Sequence, residues 1–315
     1  MSLPIILDCD PGNDDALGIL VAAGHAAVDL RAVTTGAGHL PGDRTARNAA
    51  ITMRLSGRAE IPVAAGALNP LLRERMIAGV LDMESALDPE RSDLDVQDLD
   101  PRHSADLIAQ SVLAGDVMTI VTTGPLTNLA IALHRTPEIA TTLERIVILG
   151  GSWGLGNKTA AAEWNILCDP EAAHVVLGAG VPITMLPIDA LSPVGITPDL
   201  IKRTKAIGGP IGNFAAELLQ SLVTTFRPAS VLAPKFMPLN DPVATLVAAQ
   251  PELAQSQPAC VDVELAGRHT YGRTVVDFVL RDGAAANVDV VTQLDCDGTL
   301  NAFVDALTRL ESPDT

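Results

Sequence analysis

Short apolar runs alternate along the chain with longer Ala/Leu-rich stretches in which polar positions recur at helical spacing. Residues 4–7, 30–35, 118–122, 145–149 and 183–187 read as strands. Most are followed by a Gly-rich or polar turn and then a helical stretch, as at 14–23, 42–58 and 126–134. This βαβ rhythm predicts an α/β fold with a mostly parallel, Rossmann-like sheet and helices on both faces. No Ser- or Gly-rich linker and no internal repeat interrupts it, so a single domain over residues 1–315 is expected. Residues 82–100 are acidic and Pro-punctuated, and read as a solvated loop able to cover a site. Residues 202–240 turn from helical to irregular and form a second candidate lid. Parallel sheets bind ligands outside the carboxyl ends of their strands, which directs attention to residues 8–15, 35–39, 122–128 and 150–165.

The first of these segments is Asp8-Cys9-Asp10-Pro11-Gly12-Asn13-Asp14-Asp15, with four carboxylates directly after an apolar run. Like charges at the mouth of a sheet repel one another unless a cation sits among them, and hard oxygen ligands suit Ca²⁺ or Mg²⁺. An acidic first turn also suits the dipole of the helix that follows, so a plain acidic helix start is the simpler alternative. Strand alternation turns Cys9 away from Asp8 and Asp10.

Composition narrows the partners. Hydrophobic residues make up 48% and charged residues 19% of 315, enough for a large core and too apolar for disorder. Aromatics are only 3%, a mix suited to sheets packed between close helices. A net charge of −17 argues against a nucleic-acid polymer, whose phosphates need a basic face. Cys9, Cys168, Cys260 and Cys296 form no CxxC spacing and suggest a reducing compartment. With no secretory pattern and no apolar run long enough to span a membrane, a soluble, cytoplasmic protein is expected.

Further motifs follow in order: Thr123-Gly-Pro-Leu-Thr-Asn128, Gly156-Asn157, Ala162-Glu163-Trp164-Asn165 and Asn240-Asp241-Pro242. Together with the acidic start they resemble the inosine–uridine-preferring nucleoside hydrolase family along essentially the whole chain. The resemblance implies hydrolysis of the N-glycosidic bond of a ribonucleoside with a bound Ca²⁺. It places Asp10, Asp15, the Thr123 carbonyl and Asp241 on the cation, and makes Asp10 the base that takes a proton from water. Asp14, Asn157, Glu163 and Asn165 would hold the ribose hydroxyls, with Asp8 supporting the cluster. It also implies a homodimer or homotetramer.

The chain departs from the family at the leaving-group end. Many relatives carry His immediately before the Asp of the downstream metal motif, where this chain has Asn240, and an amide donates a hydrogen bond but no proton near neutral pH. A second frequent His aligns with Asp82, and His39 stands where relatives read AGN. Three alternatives stay open: His39 or Asp82 acts as the acid; Trp153 or Trp164 stacks on the base; or the substrate has a leaving group that needs little acid help. Trp164 also has a packing role against the sugar. Phe226, Phe236, Met237 and Tyr271 are candidates for a base pocket, with core or lid packing the plainer role. Two rivals remain at this stage. One is a haloacid-dehalogenase-type phosphatase with Asp8 as nucleophile and Mg²⁺. The other is a catalytically weak ribose- or nucleoside-binding protein of the same fold.

Overall fold

The computed structural model describes residues 2–76, 87, 96–115, 118–227 and 233–312. Its strands β1 (Leu3–Cys9), β2 (Val28–Thr35), β3 (Val63–Ala65), β4 (Thr119–Thr122), β5 (Arg145–Leu149), β6 (Ile183–Leu186), β7 (Ala254–Val263), β8 (Thr274–Asp277) and β9 (Val288–Leu294) form one sheet in the order β3-β2-β1-β4-β5-β6-β9-β7-β8. Every pairing from β3 to β9 is parallel, while β7 runs antiparallel to both β9 and β8. The helices are α1 (Asn13–Gly24), α2 (Gly42–Leu55), α3 (Ser104–Leu113), α4 (Thr127–Arg135), α5 (Trp164–Cys168), α6 (Pro170–Leu177), α7 (Ile188–Leu191), α8 (Pro198–Ile207), α9 (Gly209–Thr225), α10 (Asp241–Ala249) and α11 (Cys296–Glu311).

Side-chain alternation along β1 divides the interior in two. Ile5, Leu7 and Cys9 join a core built with α1, α2 and α8 to α11, whereas Ile6 joins the opposite core with α3, α4 and α6. Both faces are therefore covered, the condition that allows parallel strands such as β4 and β5 to be apolar throughout. Helix α1 is buried on nearly every side, packed against α10 and α11 as well as α9. From β1 the chain steps outward to β2 and β3, and from β4 it steps the other way to β5 and β6. That reversal opens a crevice between the carboxyl ends of β1 and β4, the usual ligand position in such sheets.

The structure adds strands that the apolar pattern does not reveal. β3 has three residues, too few for a period to register. β7 begins with exposed Gln255, Ser256 and Gln257 and alternates only from Ala259 onward. It lies on the antiparallel flank, where one face meets solvent. Among the described residues no helix is long and apolar enough to cross a membrane.

Candidate active site

β1 extends through Cys9, so Asp8 still belongs to the strand. Its Oδ1 accepts hydrogen bonds from Thr34 Oγ1 at 2.7 Å and Asn128 Nδ2 at 2.9 Å. Asn128 also donates to the Thr35 carbonyl at 3.0 Å and accepts from the Ala67 backbone at 2.9 Å. One amide thus ties β1, β2 and α4 behind the site. Burial pushes Asp8 up to about 7, against the two hydrogen bonds that favour its charge and with the charge of Asp10 adding to the rise. Cys9 lies on the other face, buried, its thiol pushed far up by burial and by the carboxylates around it, which makes it inert.

Asp10 stands just past the strand. Its Oδ2 accepts the His39 backbone N–H at 2.8 Å and lies 3.2 Å from His39 Nδ1. Its Oδ1 is buried and has no hydrogen-bond partner among the described residues. Two glycines make room for this carboxylate: a β-carbon on Gly38 would collide with Oδ2, and one on Gly124 with Oδ1. Asn48 on α2 holds the turn that follows by donating to the Pro11 carbonyl at 2.9 Å.

Asp14 and Asp15 occupy the first turn of α1, where the helix dipole favours negative charge. Asp15 Oδ1 accepts from Thr123 Oγ1 at 2.7 Å and from the Asp10 backbone at 3.4 Å. Asp241 opens α10, and the packing of α10 on α1 brings it to the same place. Asp14, Asp15 and Asp241 each offer a carboxylate oxygen within 4.8 Å of the others. Burial pushes Asp15 and Asp241 well up, and the charges of Asp10 and Asp14 push both further. Crowded, buried, all-oxygen donors with one orphaned carboxylate oxygen beside them fit a hard divalent cation. The family resemblance places Asp14 on the sugar. In the structure its carboxylate joins Asp15 and Asp241, while Asp10 engages His39.

The opposite wall comes from the loop after β5 and from α5. Glu163 caps α5, accepting the backbone N–H groups of Asn165 at 2.9 Å, Gly151 at 2.9 Å and Ile166 at 3.2 Å. Burial still raises its carboxyl above the ordinary value. Asn165 donates both amide hydrogens, to the carbonyls of Thr123 at 2.8 Å and Leu149 at 3.0 Å. Asn157 Oδ1 accepts the Trp164 backbone N–H at 3.0 Å. The base of this loop is pinned by Asp189, which accepts from the backbones of Trp153 at 2.9 Å and Gly154 at 3.1 Å. The Trp164 indole stacks on the His39 ring, centroids 4.5 Å apart and planes 20° from parallel. Burial lowers the basicity of His39, but its bond to Asp10 and the charges of Asp10, Asp14 and Asp15 outweigh that and carry it up to about 9.

These elements enclose a cavity of about 590 Å³, within the range of small-molecule sites. Asp14, Asp15, His39, Thr123, Asn157, Glu163, Trp164, Asn165, Asn240 and Asp241 all line it, with Asp10 and Asp8 buried behind. Asp82 lies outside the described residues. Phe226 and Met237 line the cavity; Phe236 instead packs on Gly195, and the Tyr271 hydroxyl donates to Glu171. Trp153 meets Phe278 edge-on and is not part of the wall, so of the two tryptophans only Trp164 is in place. Sequence reasoning missed Asn13, Leu40, Ile188, Leu222, Thr225 and Arg227. Asn13 sits inside the acidic motif and was legible there. Leu40 follows His39 in the loop after β2, Leu222, Thr225 and Arg227 lie in the 202–240 stretch read as a lid, and Ile188 reaches the cavity from the turn after β6.

Fold and cavity define an α/β enzyme with an acidic, oxygen-lined site at the switch point of its sheet. The chain belongs to the inosine-uridine preferring nucleoside hydrolase family, which it matches over residues 5–301. It is 40% identical to the pyrimidine-specific ribonucleoside hydrolase RihA of Shewanella sp. (strain MR-7), over 98% of this chain and 96% of that one. It is 38% identical to the protein of the same name from Escherichia coli (strain K12), over 98% and 99% of the two chains. Among solved structures it resembles a purine-preferring ribonucleoside hydrolase from Gardnerella vaginalis, with a TM-score of 0.89 at 28% identity, covering 98% of this chain and 99% of that one. A plant nucleoside hydrolase, PpNRh1, gives a TM-score of 0.88 at 28% identity over the same shares. This membership sets aside the phosphatase as a reading of the fold.

Proposed function

We propose that this enzyme hydrolyses the N-glycosidic bond of ribonucleosides to ribose and free base, using Ca²⁺ held by Asp10, Asp15, the Thr123 carbonyl and Asp241. The observation that carries this reading is the buried, unpartnered Asp10 Oδ1 next to three converging carboxylates on the cavity floor. When bound, Ca²⁺ supplies a fixed positive charge that orients vicinal hydroxyls and acidifies a water. Asp10 would take a proton from the attacking water as its oxygen adds to C1′. The C1′–N bond breaks, its electron pair leaves with the base, and the departing nitrogen takes a proton from solvent while Asp10 releases the one it gained. Positive charge that builds on the sugar is stabilised by the preorganised carboxylates around it. Asp14, Asn157, Glu163 and Asn165 hold the ribose. Since Asn165 has spent both amide hydrogens, its Oδ1 is the atom that accepts from a hydroxyl.

The base rests against Leu222, Phe226, Met237 and Asn240, where the Asn240 amide offers a hydrogen bond. The names of the relatives at 38–40% identity put pyrimidine ribosides first among the substrates. We also propose a cytoplasmic, single-domain enzyme that assembles as a homodimer or homotetramer. Exposed Leu68 and Leu72 support that assembly, and light scattering tests it.

A reducing-sugar assay over uridine, cytidine, inosine, nicotinamide riboside and 2′-deoxyuridine, with and without chelator, tests the function. Turnover of ribosides only, lost on chelation and restored by Ca²⁺, is expected. The Asp10→Ala variant should lose roughly 10³-fold in kcat. Equal turnover of uridine and 2′-deoxyuridine, or indifference to chelator, would overturn the reading.

A further inference from the structure

His39 and Trp164 form an arrangement that the reaction scheme above leaves without a task. The His39 ring is fixed on two sides: Nδ1 is 3.2 Å from Asp10 Oδ2, and one face lies on the Trp164 indole. Its backbone N–H adds a second bond to the same oxygen at 2.8 Å. A carboxylate oxygen only accepts, so Nδ1 carries the hydrogen in this pair. Oδ2 therefore has two donors from one residue, while Oδ1 has none among the described residues. Only glycine at 38 and 124 leaves space for the two oxygens, since a β-carbon at either position would occupy it. Trp164 in turn is 6% exposed, carried at the start of α5, and anchored by Asn157 on its backbone N–H. Arg75 holds the loop that carries His39 by donating to the Gly38 carbonyl at 3.1 Å.

We propose that His39 is a positioning residue for Asp10, and that Trp164 is the platform that holds His39 in place. By saturating Oδ2, the pair leaves Oδ1 for the cation and for the attacking water. Both partners of His39 belong to the ribose end of the cavity, so its effect falls on water activation and not on the departing base. This rests on the hydrolase reading, since it assigns Asp10 the role of base. It parallels the outer-shell partners that orient metal ligands elsewhere, whose loss costs roughly 10- to 100-fold in affinity or activity.

The test compares two ribosides that differ in their need for acid, uridine and p-nitrophenyl riboside, in wild type and in His39→Phe, His39→Ala and His39→Asn. His39→Phe keeps a ring on Trp164 but loses the donor. His39→Asn places an amide N–H near the Nδ1 position. His39→Phe and His39→Ala should lower kcat roughly 10- to 100-fold, by the same factor on both substrates and with little change in KM. His39→Asn should recover most of that loss. Calorimetry of Ca²⁺ binding should show a parallel weakening in His39→Phe, recovered in His39→Asn. A loss confined to uridine, with p-nitrophenyl riboside unaffected, would make His39 the leaving-group acid and overturn the proposal. Unchanged kcat and unchanged Ca²⁺ affinity in His39→Phe would overturn it as well. If wild type cleaves neither riboside, the hydrolase reading fails, and the Ca²⁺ comparison alone decides the role of His39. Thermal melting separates any variant that misfolds, and the remaining variants carry the comparison.

Discussion

The two ends of the cavity are built differently. At the end proposed to hold ribose, Asp8, Asp10, Asp15 and Glu163 are buried and held by donors on strands, helix starts and loop backbones. At the end proposed to hold the base, Thr225, Phe226, Arg227 and Met237 are partly or fully open to solvent and come from the end of α9 and the chain beyond it. Arg227 spends its guanidinium on the Phe226 carbonyl at 3.0 Å, closing the helix end rather than bracing the wall. On the proposed reading, chemistry that tolerates no displacement is thus fixed by the sheet, while contacts that set preference sit on elements free to vary.

Substitution at the ribose end should break this contrast most severely. A Gly124→Ala change drives a methyl into Asp10 Oδ1. We expect roughly a 10²-fold fall in kcat, because small displacements of reacting groups cost that much, with KM for uridine moving far less. Steady-state kinetics on saturating Ca²⁺ checks it, and an unchanged kcat would mean that Asp10 tolerates rotation. Next in size is Asn128→Ala, which strips donors from Asp8 and the Thr35 carbonyl and an acceptor from the Ala67 N–H, all buried. Urea denaturation should show a loss of about 3 kcal/mol. A loss near zero would mean that water replaces the amide and that the support behind β1 is not needed. The smallest effect is expected at the base end. Met237→Ala should shift the ratio of kcat/KM between uridine and inosine by about tenfold or less, the scale of a few methylenes in a pocket. Its kcat on p-nitrophenyl riboside should stay near wild type. A large uniform loss on all substrates would erase the distinction between the two ends.

The same contrast governs what could be read from the sequence. The strands β1, β2, β4, β5 and β6 announced themselves because their inner residues are buried on both faces and run apolar with few interruptions. The acids at 8, 10, 14 and 15 were legible because four carboxylates crowded after a strand repel one another without a counter-charge. Their division of labour was not. Which carboxylate meets Asp241 depends on how α1 packs on α10, and neither helix encodes the other's position. The His39–Trp164 stack likewise joins the segments after β2 and β5, strands separated in the sheet by β1 and β4, so the contact depends on how two loops reach across the crevice. The base wall left no periodic trace, since Leu222 reads as ordinary helix core and Arg227 as a helix end.

Most of that wall, from Ile188 to Asn240, lies on one continuous excursion of the chain between β6 and β7. Strands β1 to β6 and the buried acids of β1 and α1 lie wholly before it. The segment is thus a natural unit to exchange: a graft that keeps Asp241 at its downstream border, together with the packing of α9 on α1 and the Asn13–Ser221 hydrogen bond, should change the proposed base pocket with the least disturbance of the acids. On the proposed reading, a change of base preference is expected to map first to that one stretch.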